Sequence, residues 1–154
     1  MQIRLAKTAG FCFGVERAVA LAEQTAKRGV PAVTLGPIIH NRHVVERFER
    51  MGLREIAQAD EAQPGQTVII RAHGIPVAEQ RLLAERGVTV VDATCPFVKK
   101  IHVIAQKAER EGRSLLVIGT PTHPEVLAIA SYSSDAHVFR TAEELQAWLT
   151  ERPG

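Results

Sequence analysis

The chain has 154 residues, 45% of them hydrophobic, enough for one ordinary core or for one small lobe and part of a second, which excludes an intrinsically disordered protein. Nineteen Lys and Arg against seventeen Asp and Glu leave a formal charge of +2 scattered along the sequence, so no nucleic-acid partner is expected. No run reaches the roughly 20 apolar residues of a membrane span and the first residues lack the blocks of a signal peptide, so a cytoplasmic protein without a membrane partner is expected.

In chain order, Ile3 to Ala6 reads as a strand, Val15 to Lys27 as a helix, Ala32 to Leu35 as a strand and Val44 to Met51 as a helix. Thr67 to Ile70 follows as a strand, Val77 to Arg86 as a helix and Val88 to Val91 as a strand. Beyond Pro96 the rhythm resumes with a helix from Val98 to Glu111, a strand Leu115 to Ile118, a helix after Pro124 and a short strand His137 to Phe139. The last helix runs from Thr141 to Leu149, with Thr141 as N-cap and Glu144 three residues on. Gly29, Gly87 and Gly112 each follow a charged helical end, where a left-handed cap is needed. This alternation predicts an α/β fold with mainly parallel sheets and flanking helices, divided near Pro96 into a lobe of residues 1–95 and a shorter, incomplete lobe of residues 96–154.

Cys12 and Cys95 are the two cysteines, and each is expected between a strand and a helix, at the sheet edge where parallel α/β proteins bind ligands. A helix N-terminus favours thiolate, the form that ligates metal. The alternative is that both are small buried hydrophobes. Gly10 and Gly14 flanking Cys12, and Pro96 directly after Cys95, argue for a tight turn and a fixed helix start. Two separated cysteines do not fill a four-cysteine cluster site and lack the paired spacing of a zinc ribbon, so spacing alone leaves the metal question open.

Three histidines fall at the same predicted edge: His40 after Gly36-Pro37-Ile38-Ile39, His73 within Arg71-Ala72-His73-Gly74, and His123 opening His123-Pro124-Glu125-Val126. An imidazole donates hydrogen bonds to phosphate oxygens and adds charge when protonated. Any one of them alone would read as an ordinary loop histidine. His43, His102 and His137 read as structural or solvent-facing, and Arg42, Arg71, Lys99 and Lys100 as surface cations able to assist anion binding. Glu125, one residue into a helix, suits either a general acid beside His123 or a simple complement to the helix dipole.

Five segments, in one order, carry a family resemblance: Gly10-Phe11-Cys12-Phe13-Gly14-Val15-Glu16-Arg17-Ala18, Gly36-Pro37-Ile38-Ile39-His40-Asn41, Arg71-Ala72-His73-Gly74, Asp92-Ala93-Thr94-Cys95-Pro96 and His123-Pro124-Glu125-Val126. The chain resembles the N-terminal half of the LytB-type 4-hydroxy-3-methylbut-2-enyl diphosphate reductases. The resemblance implies the first lobe and part of the second of a three-lobed fold. It also implies a 4Fe–4S cluster held by three cysteines, Cys12 and Cys95 being two, with one iron open to the substrate hydroxyl. His40, His73 and His123 would bind the diphosphate and Glu125 would deliver protons. The implied reaction is two-electron reductive dehydration of the allylic diphosphate to isopentenyl and dimethylallyl diphosphate in the methylerythritol phosphate pathway, with a flavodoxin or ferredoxin as electron donor. The family's third cysteine, a threonine and a Ser-x-Asn segment have no counterpart here, so this chain by itself is expected to be inactive. A rival expectation is a non-catalytic diphosphate-binding module. A zinc hydrolase using both cysteines and a histidine has no supporting spacing.

Overall fold

The computed structural model describes residues 2–152; Met1, Pro153 and Gly154, at the outer ends of the two expected lobes, lie outside the described residues. Helix α1 (Phe13–Lys27) leads into strand β1 (Ala32–Leu35), helix α2 (Arg42–Arg50) and strand β2 (Arg54–Ile56). After a short 3-10 turn at Ala59–Glu61 come β3 (Thr67–Ile70), α3 (Val77–Glu85), β4 (Thr89–Asp92) and α4 (Pro96–Arg110). The chain continues with β5 (Leu115–Ile118), α5 (Pro124–Ala130), β6 (Ala136–Phe139) and α6 (Ala142–Glu151).

Four strands form a parallel sheet in the order β2-β1-β3-β4. β1 and β3 are central, and their apolar runs are buried on both faces, as a covered parallel sheet requires. On one face Ile69 packs with Ala18 and Ala22 of α1 and with Val44 and Phe48 of α2. On the other, Val33, Leu35, Val68 and Ile70 meet Leu83 of α3. The order matters for function. From β1 the chain goes outward to β2, and from β3 it goes the opposite way to β4, so the carboxyl ends of β1 and β3 flank a topological switch point, where open α/β sheets leave a crevice.

The second sheet is a parallel pair, β5-β6, with Leu115 opposite Ala136 and Ile118 opposite Phe139. Trp148 of α6 lies across Phe139, ring centroids 5.7 Å apart. Thr141 caps α6 by accepting from the Glu144 N–H, and the Glu144 carboxylate accepts from the Arg140 N–H, the reciprocal device anticipated from sequence. Gly29, Gly87 and Gly112 have φ of 66°, 66° and 63°, the left-handed caps expected of them.

One expected strand is absent. Ile3 to Ala6 has the alternation of a strand, yet Ile3 and Leu5 are 83% and 87% exposed and no described strand pairs with them. Period-two patterning makes a strand only where a neighbour supplies the ladder. Cys12 therefore follows an irregular segment rather than a strand. Conversely, β2 is a strand that the charged sequence Arg54-Glu55-Ile56 did not announce, held by pairing with β1.

Candidate functional site

The three edge histidines come together. His40 ends the loop after β1, directly before Asn41, whose Oδ1 caps α2 by accepting from the Val44 N–H at 3.2 Å. His73 sits in the turn after β3, which closes through the Gly74 N–H to the Arg71 carbonyl at 3.0 Å with Gly74 at φ +78°. His123 caps α5 itself, its Nδ1 accepting from the Glu125 N–H at 3.2 Å. Ring centroids lie 4.8 Å apart for His40 and His73, 5.7 Å for His73 and His123, and 6.4 Å for His40 and His123.

Their chemistry follows from these surroundings. Because Nδ1 of His123 is an acceptor, its neutral ring carries the proton on Nε2, which is left as a donor. His73 is half-buried, and its pKa is pushed down to about 4, first by desolvation and then by the positive charge that His40, His123 and Arg71 would place beside it. Its Nδ1 is buried without a hydrogen-bond partner. An anion set among the three rings would oppose these effects by favouring the protonated imidazole.

Both cysteines are N-cap residues, Cys12 of α1 and Cys95 of α4, and neither side chain bonds to its own helix. Their sulfurs are thus uncommitted, beside helix N-termini whose first N–H groups favour anionic sulfur. Cys12 is exposed and Cys95 partly so, which excludes the reading of either as a buried hydrophobe. Gly14, in the first turn of α1, rests on Cys95 so closely that a Cβ there would overlap Sγ. The Arg17 guanidinium donates from Nη1 to the Thr94 carbonyl at 3.2 Å and from Nη2 to the Asp92 carbonyl at 3.4 Å, clamping α1 to the strand end before Cys95. The Cys95 N–H donates to the Ala72 carbonyl at 2.9 Å, so this cysteine is tied to the residue next to His73. Phe11, which precedes Cys12, shares a cavity of about 280 Å³ with His40 and His73.

Glu125 lies in the first turn of α5, two residues from His123 and half-buried. Of the four cations singled out from sequence, Arg71 alone acts on the histidines. Its Nε donates to the Gly74 carbonyl at 3.3 Å, and its head lies over Gly36, where a Cβ would collide with it. Arg42 is paired with Glu46 at 2.6 Å, Lys99 with Asp92 at 2.5 Å, and Lys100 lies over the Phe97 ring. Arg17 was not recognised as a site residue from sequence, although it sits within the first quoted segment. Among the described residues no three His, Cys, Asp or Glu side chains are placed to hold a single metal ion, so nothing supports a zinc site of two cysteines and a histidine. The donor chemistry does suit an iron–sulfur cluster: two free sulfurs at helix N-termini, with a glycine rather than a side chain against one of them.

Taken together, the fold and site define a parallel α/β protein in which three histidines converge from the ends of β1, β3 and β5 and two cysteines cap helices α1 and α4. The family profile of the LytB protein matches residues 3–152, and the chain belongs to the LytB family. It is 44% identical over 147 residues to the 4-hydroxy-3-methylbut-2-enyl diphosphate reductase of a Nitratiruptor species, an alignment covering 95% of this chain and 52% of that protein. With the reductase of the same name from Citrifermentans bemidjiense it shares 47% identity, over 87% of this chain and 47% of the relative. A solved structure of (E)-4-hydroxy-3-methyl-but-2-enyl diphosphate reductase, the terminal enzyme of the non-mevalonate pathway, superposes with a TM-score of 0.81 at 41% identity, over 96% of this chain and 54% of that one. The chain spans about half the length of the relatives it matches.

Proposed function

We propose that this chain supplies the diphosphate cradle and two of the cluster thiolates of a 4-hydroxy-3-methylbut-2-enyl diphosphate reductase. The observation that carries this is the convergence of His40, His73 and His123, from three separate strand ends, beside the elements that Cys12 and Cys95 cap. The names of the relatives supply the substrate class, an allylic diphosphate.

In this reading the diphosphate lies among the three imidazoles. His123 donates from Nε2, since its Nδ1 is held by the Glu125 N–H. His73, neutral in the free protein, takes up a proton as the anion arrives and then both donates and attracts. Glu125 lies on the same helix turn as His123, placed to relay a proton to the departing hydroxyl. Arg17 and Gly14 keep the first turn of α1 seated against Cys95, so that the two sulfurs hold a fixed relation. A 4Fe–4S cluster held by Cys12, Cys95 and a cysteine from outside this chain would supply Lewis acidity and two electrons for reductive dehydration to isopentenyl and dimethylallyl diphosphate. A small electron-transfer protein such as flavodoxin or ferredoxin would reduce it, in the cytoplasm.

The domain division belongs to the same proposal. Residues 1–95 form one lobe around the four-stranded sheet, and residues 96–154 part of a second around β5 and β6. Phe97, Ile101 and Ile104, one face of α4 at 63%, 40% and 62% exposure, together with Leu116 and Ile118 on β5, are the apolar surface that the remaining lobes would cover.

The test is anaerobic reconstitution with iron and sulfide, counting both per chain, for the wild type, Cys12→Ser and Cys95→Ser, with an added small thiol as third ligand. About four irons, abolished by either substitution, is the expected result. One other reading is a diphosphate-binding module without redox chemistry, which the three converging histidines would serve without the cysteines. Pyrophosphate binding by a chain that takes up no iron, even with added thiol, would select it.

A further inference from the structure

His40 and His73 are spaced by the hydrogen-bonded neighbours β1 and β3, so their 4.8 Å separation is built into the sheet. His123 belongs to the other sheet. No ladder sets its distance from His73, and something between the two halves must.

His102 of α4 stands at that place. It is 6% exposed in the middle of a charged helix, and its Nε2 has no hydrogen-bond partner. Burial pushes its pKa down, which leaves a neutral, flat ring. One edge of the ring meets Gly74, the residue after His73; a Cβ there would fall 2.8 Å from Cε1 of His102 and 3.3 Å from Cγ2 of Thr94. One face stacks on Tyr132, with centroids 4.6 Å apart and planes at 29°. Tyr132 lies two residues past α5, the seven-residue helix that His123 caps. Gln80 of α3 donates to the Tyr132 hydroxyl at 2.6 Å and to the Ile75 carbonyl at 3.1 Å, and the Val77 N–H donates to Ser131 Oγ at 3.0 Å. Beside this junction a cavity of about 330 Å³, bounded by Ile70, Leu83, Val90 and Gln106 as well as by both rings, leaves the stack free to shift once either ring is lost.

We propose that the His102–Tyr132 stack is the pin that sets the distance from His73 to His123, making both residues positioning residues for the histidine cradle. The inference rests on the cradle being a diphosphate site only for its affinity readout; its geometric claim stands apart from that reading.

The experiment compares Tyr132→Leu, which removes the ring, with Tyr132→Phe, which keeps it, each alone and combined with His123→Ala. The first readout is the nuclear Overhauser contact between the His73 and His123 rings in the free chain; the second is the dissociation constant for inorganic pyrophosphate. Tyr132→Leu is expected to abolish the ring–ring contact and to weaken pyrophosphate by about tenfold, one charge-assisted hydrogen bond's worth of affinity. In the His123→Ala background the same substitution should have no further effect, and Tyr132→Phe should match the wild type in both readouts. A preserved contact in folded Tyr132→Leu overturns the proposal, as does an equal loss of affinity with and without His123, which would indicate a general structural role. If the wild type binds no pyrophosphate, the diphosphate reading fails and the ring–ring contact alone decides the positioning claim. Should Tyr132→Leu not fold, His102→Leu, which removes the other ring of the stack, replaces it: a weakened contact is expected, and an unaltered one overturns the pin.

Discussion

Lowering the pH should strengthen pyrophosphate binding through His73, and the size of the effect can be worked from its environment. In the free chain His73 has a pKa of about 4 against an ordinary 6.5, because burial and the surrounding cationic groups oppose a charge there. A bound dianion among the three rings offsets both penalties, since opposite charge within about 4–6 Å favours the charged form. If the bound state merely restores the ordinary value, affinity rises by up to tenfold per pH unit from 6.5 down to 4, and not below. The full span is about 300-fold, or roughly 3.4 kcal/mol. His73 is only half-buried, so solvent screening reduces this to about 1–2 kcal/mol, or roughly 5- to 30-fold. The free chain shows the reverse face of the same linkage. The folded-state pKa is depressed, so the stability contributed by a neutral His73 is complete above 6.5 and is lost as pH falls toward 4, and the ligand should restore it. Calorimetric titration in two buffers of different ionisation enthalpy, near pH 5 to 6, reads protons taken up per pyrophosphate. At its maximum the wild type should take up about half a proton more than His73→Gln. Equal uptake by the two proteins would refute the reasoning, whatever their affinities.

Gly14→Ala should destabilise the chain by about 1–3 kcal/mol in urea unfolding, because the added methyl overlaps the Cys95 sulfur; the same change in an unobstructed helix would stabilise by about 1 kcal/mol. Arg17→Ala leaves the Asp92 and Thr94 carbonyls short of a donor, costing about 1–3 kcal/mol, and should speed alkylation of Cys95 by iodoacetamide relative to Cys12. Leu83→Ala, at a fully buried position on the α3 face, should cost about 2.7–5 kcal/mol without altering iron uptake per folded chain.

Much of this site could be read in the sequence, because its parts are local. A Cys before a proline, a glycine on either side of another Cys, and a histidine just after an apolar run are each a statement about one helix start, and all five helices began where the pattern placed them, four of them after a strand and α1 after an irregular segment. What the sequence lacked was distance. His40, His73 and His123 were legible as three residues at one kind of edge, whereas their approach to 4.8–6.4 Å depends on the strand order and on contacts between the two sheets. His102 shows the same limit in sharper form. Within α4 it sits between Ile101 and Val103 with nothing local to show what it packs against, and Gly74 and Tyr132, from 28 and 30 residues away in sequence, supply the contacts at its edge and face. Ile3 to Ala6 failed in the opposite direction, since alternation is visible locally but the partner strand that would make use of it is not.

In the proposed function the site has two anionic tasks, and one architectural device used in two ways would serve both. Where a helix begins, several N–H groups lack partners and the dipole is positive. α1 and α4 begin on cysteines whose side chains make no bond to the helix, so the sulfurs lie uncommitted beside its end. α2 and α5 begin on Asn41 and His123, whose side chains do bond to the helix, which fixes the histidine at or beside the cap and turns its remaining nitrogen outward. The first arrangement leaves the sulfur free for a ligand; the second gives a donor toward an outside ligand. A cap that bonds its own helix can orient a hydrogen bond but no longer offers the helix end to an anion. His123→Asn should therefore keep α5 intact, since asparagine caps at least as well, while removing the outward donor. The expected result is unchanged thermal stability with pyrophosphate affinity lowered by about tenfold, as for the loss of one charge-assisted hydrogen bond. Loss of stability with affinity intact would mean that His123 serves the helix and not the ligand.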